Sequence, residues 1–312
     1  MESNTLSSLE YAFFLCRFAS GNLGKVILEA LIATNKYTIT VLTRKNSIAT
    51  FPSPVRVKQV DYDSIEDLAI ALTDQDAVIS AVGITAVNAQ EPLIRAAIAA
   101  GVKRFIPSDF SSDFSHPLAS TLPQYTPQLR INTLLQDLVK DHPNFSYTSI
   151  RNGPFLDWGL AMGFQLNLRS ENPPFYDGGD RPFSTTTLPT VARAVVAVLD
   201  TKNLGQTGNR AIYVHDVITT QRHLLGLARK VAPQGKWDPV TVDTDNMQRV
   251  ARENYARGER DLGSLMGLFV QAVFGEGYGG CFGQVDNEML GVGGLDDEGL
   301  EGIVKGVLDS FE

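Results

Sequence analysis

The stretch Ser20-Gly21-Asn22-Leu23-Gly24 decides the fold that this sequence predicts. It follows an apolar run, Tyr11 to Cys16, that predicts a β-strand, and it precedes an amphipathic segment that predicts a helix beginning near Leu23. Glycines allow backbone N–H groups to approach a phosphate closely, and the start of a helix directs unpaired amides at the same anion. We therefore predict that these five residues form a turn that binds the pyrophosphate of a dinucleotide.

The turn departs from the usual pattern at its first glycine. A G-x-x-G-x-x-G spacing places that glycine at position 18, where this chain has Phe18. A benzyl side chain there occupies the place where the backbone bends beside a cofactor. One explanation is an incorrectly assigned start of the chain, up to residue 18.

The composition is that of a globular protein with one large domain or two closely packed domains. The 312 residues are 43% hydrophobic, the net charge is −8, and the 27 Lys and Arg residues are scattered. Because no basic patch is visible, we predict no nucleic-acid partner. The start of the chain lacks a basic signal-peptide region, and the run Tyr11 to Phe18 is too short to span a bilayer. We expect no membrane partner and a cytoplasmic location.

Cysteine and histidine give no sign of a metal site. The chain has Cys16 and Cys281 without a C-x-x-C pair, and its 4 His residues lack metal-ligand spacing. We predict neither a disulfide scaffold nor a bound metal.

The first 150 residues alternate between short β-branched runs and helical segments, which is the pattern of a doubly wound parallel sheet. Ser64 is expected to cap a helix, with Asp67 as its reciprocal partner, and Gly101 is expected to end another. Strands are predicted over 37–43, 55–60, 77–82, 104–107 and 145–150, and helices over 87–100 and 129–141.

After Asn152 the alternation fades, and residues 172–180 are predicted to form a loop. Helices are still predicted over 188–199, 222–231 and 296–311. We therefore predict an α/β protein with a Rossmann-like dinucleotide-binding domain over residues 1–153. A smaller C-terminal α+β substrate lobe is predicted over 154–312, packed on the first domain and partly interleaved with it.

Two cations follow the second predicted strand, at the position that meets the adenosine ribose in such folds. Arg44 and Lys45 are suited to a 2′-phosphate, since Arg binds phosphate bidentately and Lys adds a point charge. NADP(H) is therefore the predicted cofactor, although such a pair is also typical of a solvated loop. Val82 and Gly83, at the end of the fourth strand, are predicted to lie along the cofactor or to allow close helix packing.

Four stretches resemble the NmrA-like and isoflavone-reductase-like branch of the atypical short-chain dehydrogenases, especially its fungal members. They are Ala19-Ser20-Gly21-Asn22-Leu23-Gly24, Val41-Leu42-Thr43-Arg44, the segment from Gly101-Val102-Lys103-Arg104 to Pro107-Ser108-Asp109-Phe110, and Asn152-Gly153-Pro154-Phe155-Leu156-Asp157-Trp158-Gly159. The resemblance implies an NADP-binding Rossmann domain and a variable C-terminal lobe. It also implies hydride transfer from NADPH to an aromatic, phenylpropanoid-like or polyketide-like substrate.

At the expected position this chain lacks the lysine that the reductases of this family use for proton transfer. The family's spacing places that position at or beside Gln128, whose amide delivers no proton. Tyr125 and Arg130 are the candidate substitutes, and no Tyr-x-x-x-Lys dyad includes Tyr125. Phe155 and Trp158 are predicted to line an apolar substrate pocket or to be buried between the lobes.

Three hypotheses follow. The first is an NADPH-dependent reductase of a small apolar molecule, which the resemblance places in fungal secondary metabolism. The second is a non-catalytic, NADP-binding regulator that senses redox state and binds a protein partner, and the missing lysine favours it. The third is an incorrectly predicted gene product that binds nothing, which Phe18 alone favours.

Overall fold

The computed structural model describes residues 10–14 and 21–311, so Cys16, Phe18 and Ser20 lie outside the described residues. The strands are β1 (Glu10–Phe14), β2 (Thr38–Arg44), β3 (Arg56–Val60), β4 (Ala77–Ser80), β5 (Arg104–Ile106), β6 (Ser146–Arg151), β7 (Pro174–Tyr176), β8 (Phe183–Thr185), β9 (Arg210–Tyr213), β10 (Val217–Thr219) and β11 (Val240–Val242). The α-helices are α1 (Asn22–Thr34), α2 (Ile65–Ala71), α3 (Gln90–Ala99), α4 (Thr126–Asp141), α5 (Leu156–Ala161), α6 (Leu188–Leu199), α7 (Leu204–Thr207), α8 (Gln221–Val231), α9 (Thr244–Ala256), α10 (Leu262–Phe274), α11 (Asn287–Leu290) and α12 (Asp297–Asp309). Short 3-10 helices cover Ile84–Ala89, Ala119–Thr121 and Pro123–Tyr125.

Within the described residues, seven strands form one sheet in the order β3-β2-β1-β4-β5-β6-β9. β1 pairs in parallel with both β2 and β4, and β3, β5 and β6 extend the parallel pairing outward. The strand order therefore reverses between β1 and β4, and doubly wound sheets bind their ligands at the carboxyl ends of the strands at such a point. The predicted α/β fold with a Rossmann-like parallel sheet is confirmed.

Most element boundaries fall within a few residues of the predictions. The described part of the first strand ends at Phe14, and α1 begins at Asn22, one residue before the predicted start. β4 ends at Ser80 rather than at residue 82, so Val82 and Gly83 lie in the loop that follows it. α4 begins at Thr126, three residues earlier than predicted, so Gln128 lies in its first turn.

The predicted cap of α2 is half correct. The Ser64 hydroxyl accepts a 3.1 Å hydrogen bond from the Asp67 amide, as expected of an N-cap. The reciprocal bond is wrong, because the Asp67 carboxylate accepts from the Asp61 amide at 2.7 Å instead. The Ser64 amide donates to the Asp61 carbonyl and does not need the Asp67 carboxylate as an acceptor. The Asp67 carboxylate instead binds the amide of Asp61, the residue that follows β3.

The prediction of a loop over residues 172–180 is wrong in its centre. Pro174–Tyr176 forms β7, which pairs in parallel with β11. Pro173 and Pro174 favoured the loop prediction, but a proline is tolerated at the first position of a strand, which is where Pro174 lies. The sequence reading also missed α9 and α10, whose caps are Asp243 and Asp261.

The chain forms two compact units, each built from several stretches. Unit 1 comprises the described residues up to Asp109 together with Arg130–Ile150 and Val195–Ala211, and unit 2 comprises Phe110–Leu129, Arg151–Ala194 and the described residues from Ile212 onward. Unit 1 has a core that includes the fully buried Leu42, Leu68, Val78 and Phe105. The cores of unit 2 include the fully buried Leu156, Phe183, Leu224, Leu268 and Leu300.

Among the described residues, no helix has both the length and the apolar character required to cross a bilayer.

Candidate active site

The start of α1 in unit 1 has neither a side-chain cap nor an acidic residue in its first turn. Gly21 is the N-cap, with extended backbone angles, and it makes no side-chain capping bond. No acidic residue lies in the first turn of α1, and Gly24 is buried there. The first amides of a helix lack partners inside the helix, and the helix dipole adds positive potential. This terminus therefore offers the backbone donors that a phosphate group requires. The role of residues 21–24 in binding a cofactor stays a prediction.

The two predicted cations differ in their surroundings. Arg44 is exposed at the end of β2, and its side chain makes no ion pair within the described part of the chain. The Lys45 ammonium lies 3.7 Å from Asp61 Oδ2 and 3.5 Å from Asp67 Oδ2. Arg44 is thus available to an anionic ligand, whereas the charge of Lys45 is already balanced.

The loop after β4 is held in place by Ser108, which follows β5 in unit 1. The Ser108 hydroxyl donates a 2.8 Å hydrogen bond to the Val82 carbonyl, and its amide donates to Gln90 Oε1, also at 2.8 Å. Gly83 is the N-cap of the following 3-10 helix. Val82 and Gly83 therefore form a fixed backbone surface at the carboxyl end of β4.

The candidate substitutes for the family lysine are all occupied or buried. Arg130, in unit 1, donates a 2.6 Å hydrogen bond to Glu91 Oε2. Tyr125, in unit 2, is 2% exposed, and burial raises the pKa of its phenol to about 12. Such a phenol is a poor proton donor near neutral pH, since general acids work best with a pKa near the pH of the reaction.

Gln128, also in unit 2, has an unusual environment for an amide. Its side chain is 4% exposed, and within the described residues its Oε1 has no hydrogen-bond partner. A buried polar oxygen without a partner costs free energy, so it marks a position that a ligand group can satisfy.

Phe155 and Trp158 flank the start of α5 in unit 2. Their rings meet edge to face, with centroids 6.4 Å apart. Phe155 is half-buried and Trp158 is 37% exposed, so neither ring is fully buried in a core. The Asp157 carboxylate accepts from the Leu188 amide at 3.1 Å and fixes this turn to the start of α6.

The sequence reading missed a buried charged cluster at the end of β6. Arg151 is fully buried, and its guanidinium lies 3.5 Å from the centroid of the Phe114 ring. Asp113 Oδ1 lies 4.0 Å from Arg151 Nε. Burial, together with the nearby Asp113 charge, raises the pKa of Tyr213 to about 12. The available signal for this cluster was a charged residue directly after the predicted strand 145–150.

The predicted residues fall into two groups. Among the described residues, the predicted cofactor contacts and Arg130 belong to unit 1, and Tyr125, Gln128, Phe155 and Trp158 belong to unit 2. No group of three or more His, Cys, Asp or Glu side chains within residues 10–14 and 21–311 is arranged to hold a metal ion. The absence of a metal cofactor stays a prediction.

A family model described as NAD(P)H-binding matches residues 19–202. Oxidoreductase aprR of Aspergillus flavus is 33% identical over 296 residues, which is 92% of this chain and 97% of that protein. Leucoanthocyanidin reductase from Vitis vinifera, solved as a ternary complex, is similar in structure, with a TM-score of 0.73 at 19% identity, over 96% of this chain and 99% of the other. The structure of AtPrR2 with NADP+ and (+)pinoresinol is also similar, with a TM-score of 0.70 at 17% identity, over 96% of this chain and 99% of the other. The chain therefore belongs to the NAD(P)H-binding family, in agreement with its resemblance to NmrA-like and isoflavone-reductase-like proteins.

Proposed function

We propose that this protein is an NADPH-dependent reductase of a small, largely apolar, aromatic or polyketide-like molecule in fungal secondary metabolism. The observation that carries the proposal is the start of α1, which has no side-chain cap, at the switch point of the sheet, together with Arg44 at the end of the adjacent β2, which makes no ion pair with the residues that the structure describes. The relative from Aspergillus flavus is named an oxidoreductase, and AtPrR2 was solved with NADP+ and (+)pinoresinol.

The residues of unit 1 fit the cofactor. The amides that follow Gly21 would bind the pyrophosphate, and Arg44 would bind the 2′-phosphate through its guanidinium. Val82 and Gly83 would lie along the nicotinamide ribose, since their backbone is fixed by Ser108. When bound, the reduced nicotinamide supplies the hydride.

The residues of unit 2 fit an apolar substrate with few polar groups. Phe155 and Trp158 offer partly exposed aromatic surface, and the buried Oε1 of Gln128 is an acceptor for one substrate hydroxyl. Tyr125 and Tyr213 both have a pKa of about 12, so neither of these two phenols is suited to deliver a proton near neutral pH. The protein would therefore contribute mainly orientation, with the proton taken from solvent.

A second candidate function is supported by the same residues. The Gln128 amide is not an acid, and the phenols of Tyr125 and Tyr213 both have a pKa of about 12. Because none of these groups is a good proton donor, the fold also suits a non-catalytic, NADP-binding regulator that presents a redox-dependent surface to a protein partner.

The test is a turnover assay with NADPH labelled by deuterium at nicotinamide C4. Purified protein is incubated with a panel of aromatic ketones, enones and polyketide-derived ketones, and NADPH oxidation and product labelling are measured. The reductase proposal expects deuterium in at least one product. Tight NADPH binding without turnover of any panel member would instead support the regulator.

A further inference from the structure

Lys45 is held by two carboxylates at the end of the sheet where the adenosine ribose would lie. Its ammonium lies 3.5 Å from Asp67 Oδ2 and 3.7 Å from Asp61 Oδ2, and its side chain is 61% exposed. A lysine with this exposure is long and mobile enough to exchange one anionic partner for another. Lys45 can therefore exchange these carboxylates for another anion without a change in the fold.

The two carboxylates are fixed independently of Lys45. Asp67 Oδ2 accepts a 2.7 Å hydrogen bond from the Asp61 amide, and Asp61 Oδ1 accepts a 3.1 Å hydrogen bond from the Asp63 amide. The Asp67 amide is bound in turn to the Ser64 hydroxyl. Both negative charges therefore stay in place when the lysine moves.

The carboxylates lie beside the cation that the proposed function assigns to the 2′-phosphate. Arg44 at the end of β2 pairs in register with Val60 at the end of β3. Lys45 and Asp61 are the residues that follow this pair, so they leave neighbouring strands at the same edge of the sheet. Two cations and two carboxylates sum to no net charge, whereas the sequence pattern alone predicts a strongly positive site.

We propose that Asp61 and Asp67 compete with the 2′-phosphate of NADPH for Lys45, and that these carboxylates set how strongly the protein prefers NADPH over NADH. This inference rests on the proposed function and adds a specificity determinant to it. Binding of NADPH must break the contacts of Lys45 or proceed without it, whereas NADH, which lacks the phosphate, leaves them intact. Arg44 supplies most of the preference, and the carboxylates weaken it.

The test is a double-mutant cycle in which NADPH and NADH binding are measured by calorimetry on the full chain. Asp61→Asn with Asp67→Asn removes both charges and keeps an acceptor for each backbone amide. Lys45→Gln is made in the wild type and in that background. Glu66→Gln is the matched control, because Glu66 is an exposed acidic residue of the same helix turn.

The expected results follow from the strength of exposed ion pairs. Lys45→Gln should weaken NADPH binding by less than about threefold in the wild type, because the lysine is already engaged. The Asp61→Asn, Asp67→Asn protein should bind NADPH about 3- to 10-fold more tightly, with NADH affinity within about twofold of the wild type. In that background, Lys45→Gln should cost about tenfold.

Three results would overturn the inference. The first is a Lys45→Gln effect of the same size in both backgrounds, and the second is an unchanged ratio of NADPH to NADH affinity in the carboxylate variant. The third is a Glu66→Gln protein with the same gain, which would indicate a general charge effect. If the double substitution destabilises the fold, the single Asp61→Asn protein carries the same test, since it leaves the Asp67 bond to the Asp61 amide intact. A wild type that binds neither nucleotide would reject the proposed function itself, and this inference with it.

Discussion

The Asp109 carboxylate accepts a 2.6 Å hydrogen bond from the hydroxyl of Ser149. The same oxygen accepts from Asn132 Nδ2 at 2.7 Å, and Asp109 is 1% exposed. This carboxylate therefore joins the end of β5 to α4 and β6. Asp109, which follows Pro107 and Ser108, therefore connects three elements of unit 1 through its hydrogen bonds. This structural role explains an acidic residue at the edge of the sheet without a catalytic role.

Asp109→Ala should lower the free energy of unfolding by about 2–4 kcal/mol, because the change leaves the buried Ser149 hydroxyl and the half-buried Asn132 amide without their acceptor. Urea denaturation measures this change. Asp63→Ala is the control, since Asp63 is an exposed residue of a loop, and it should stay within about 0.5 kcal/mol of the wild type. A loss below about 0.5 kcal/mol for Asp109→Ala would show that the carboxylate does not hold these elements.

Gly153→Ala should destabilise the protein far more than Gly101→Ala. Both glycines have positive φ, +65° at Gly153 and +78° at Gly101, so both substitutions carry backbone strain. An added Cβ at Gly153 would lie 2.2 Å from the Ser184 carbonyl oxygen, whereas nothing lies within 4 Å at Gly101. We expect losses of at least about 3 kcal/mol and about 1 kcal/mol, respectively, by urea denaturation. Equal losses would mean that Ser184 moves aside at no cost.

Lowering the pH should destabilise the fold partly through His215. Burial lowers the pKa of its imidazole below 6.5, and the Asp216 charge offsets part of that shift. Above pH 6.5 the ring is neutral in both states, so it has no effect on stability. As the pH falls through 6.5, the unfolded chain binds the proton first, and the free energy of unfolding decreases until the folded ring is also protonated. His215→Gln should reduce the loss of stability between about pH 7.5 and pH 5.5. An identical pH dependence in the variant would contradict this origin.

Gln128→Leu should leave the free energy of unfolding within about 0.5 kcal/mol of the wild type or raise it, because the buried Oε1 has no partner within the described residues. If the amide positions a substrate hydroxyl, the same variant should lose turnover with any panel substrate that the wild type reduces. Urea denaturation and the NADPH oxidation assay give the two readouts. A loss of stability above about 1.5 kcal/mol would show that the amide serves the fold.

The parallel half of the fold was predictable because its signals are local. Apolar β-branched runs, the Ser64 cap and the Gly101 stop each act within a few residues, and the structure places them as expected. β7 and β11 were not predictable in this way, since their pairing joins residues far apart in sequence and each strand has three residues. The helices α9 and α10 begin at Asp caps that the sequence reading did not use, although both caps accept from the amide three residues on.

The candidate site was predictable in its residue types and not in its contacts. The sequence predicted a cationic pair at Arg44 and Lys45, and the ion pairs of Lys45 come from residues 16 and 22 positions away. Arg151 shows the same limit, because its stacking on Phe114 depends on a loop from another part of unit 2. Spacing in the sequence indicates which residues lie at an edge of the sheet. Contacts with residues distant in sequence determine which of those side chains are available to a ligand.

The most direct test of the central claim is a calorimetric titration of the purified protein with NADPH and with NADH, repeated with Arg44→Gln. We predict that NADPH binds at least about tenfold more tightly than NADH and that Arg44→Gln removes most of this preference, since a charge-assisted contact to the 2′-phosphate is lost. Equal affinity for the two nucleotides, or no binding of either, would contradict it.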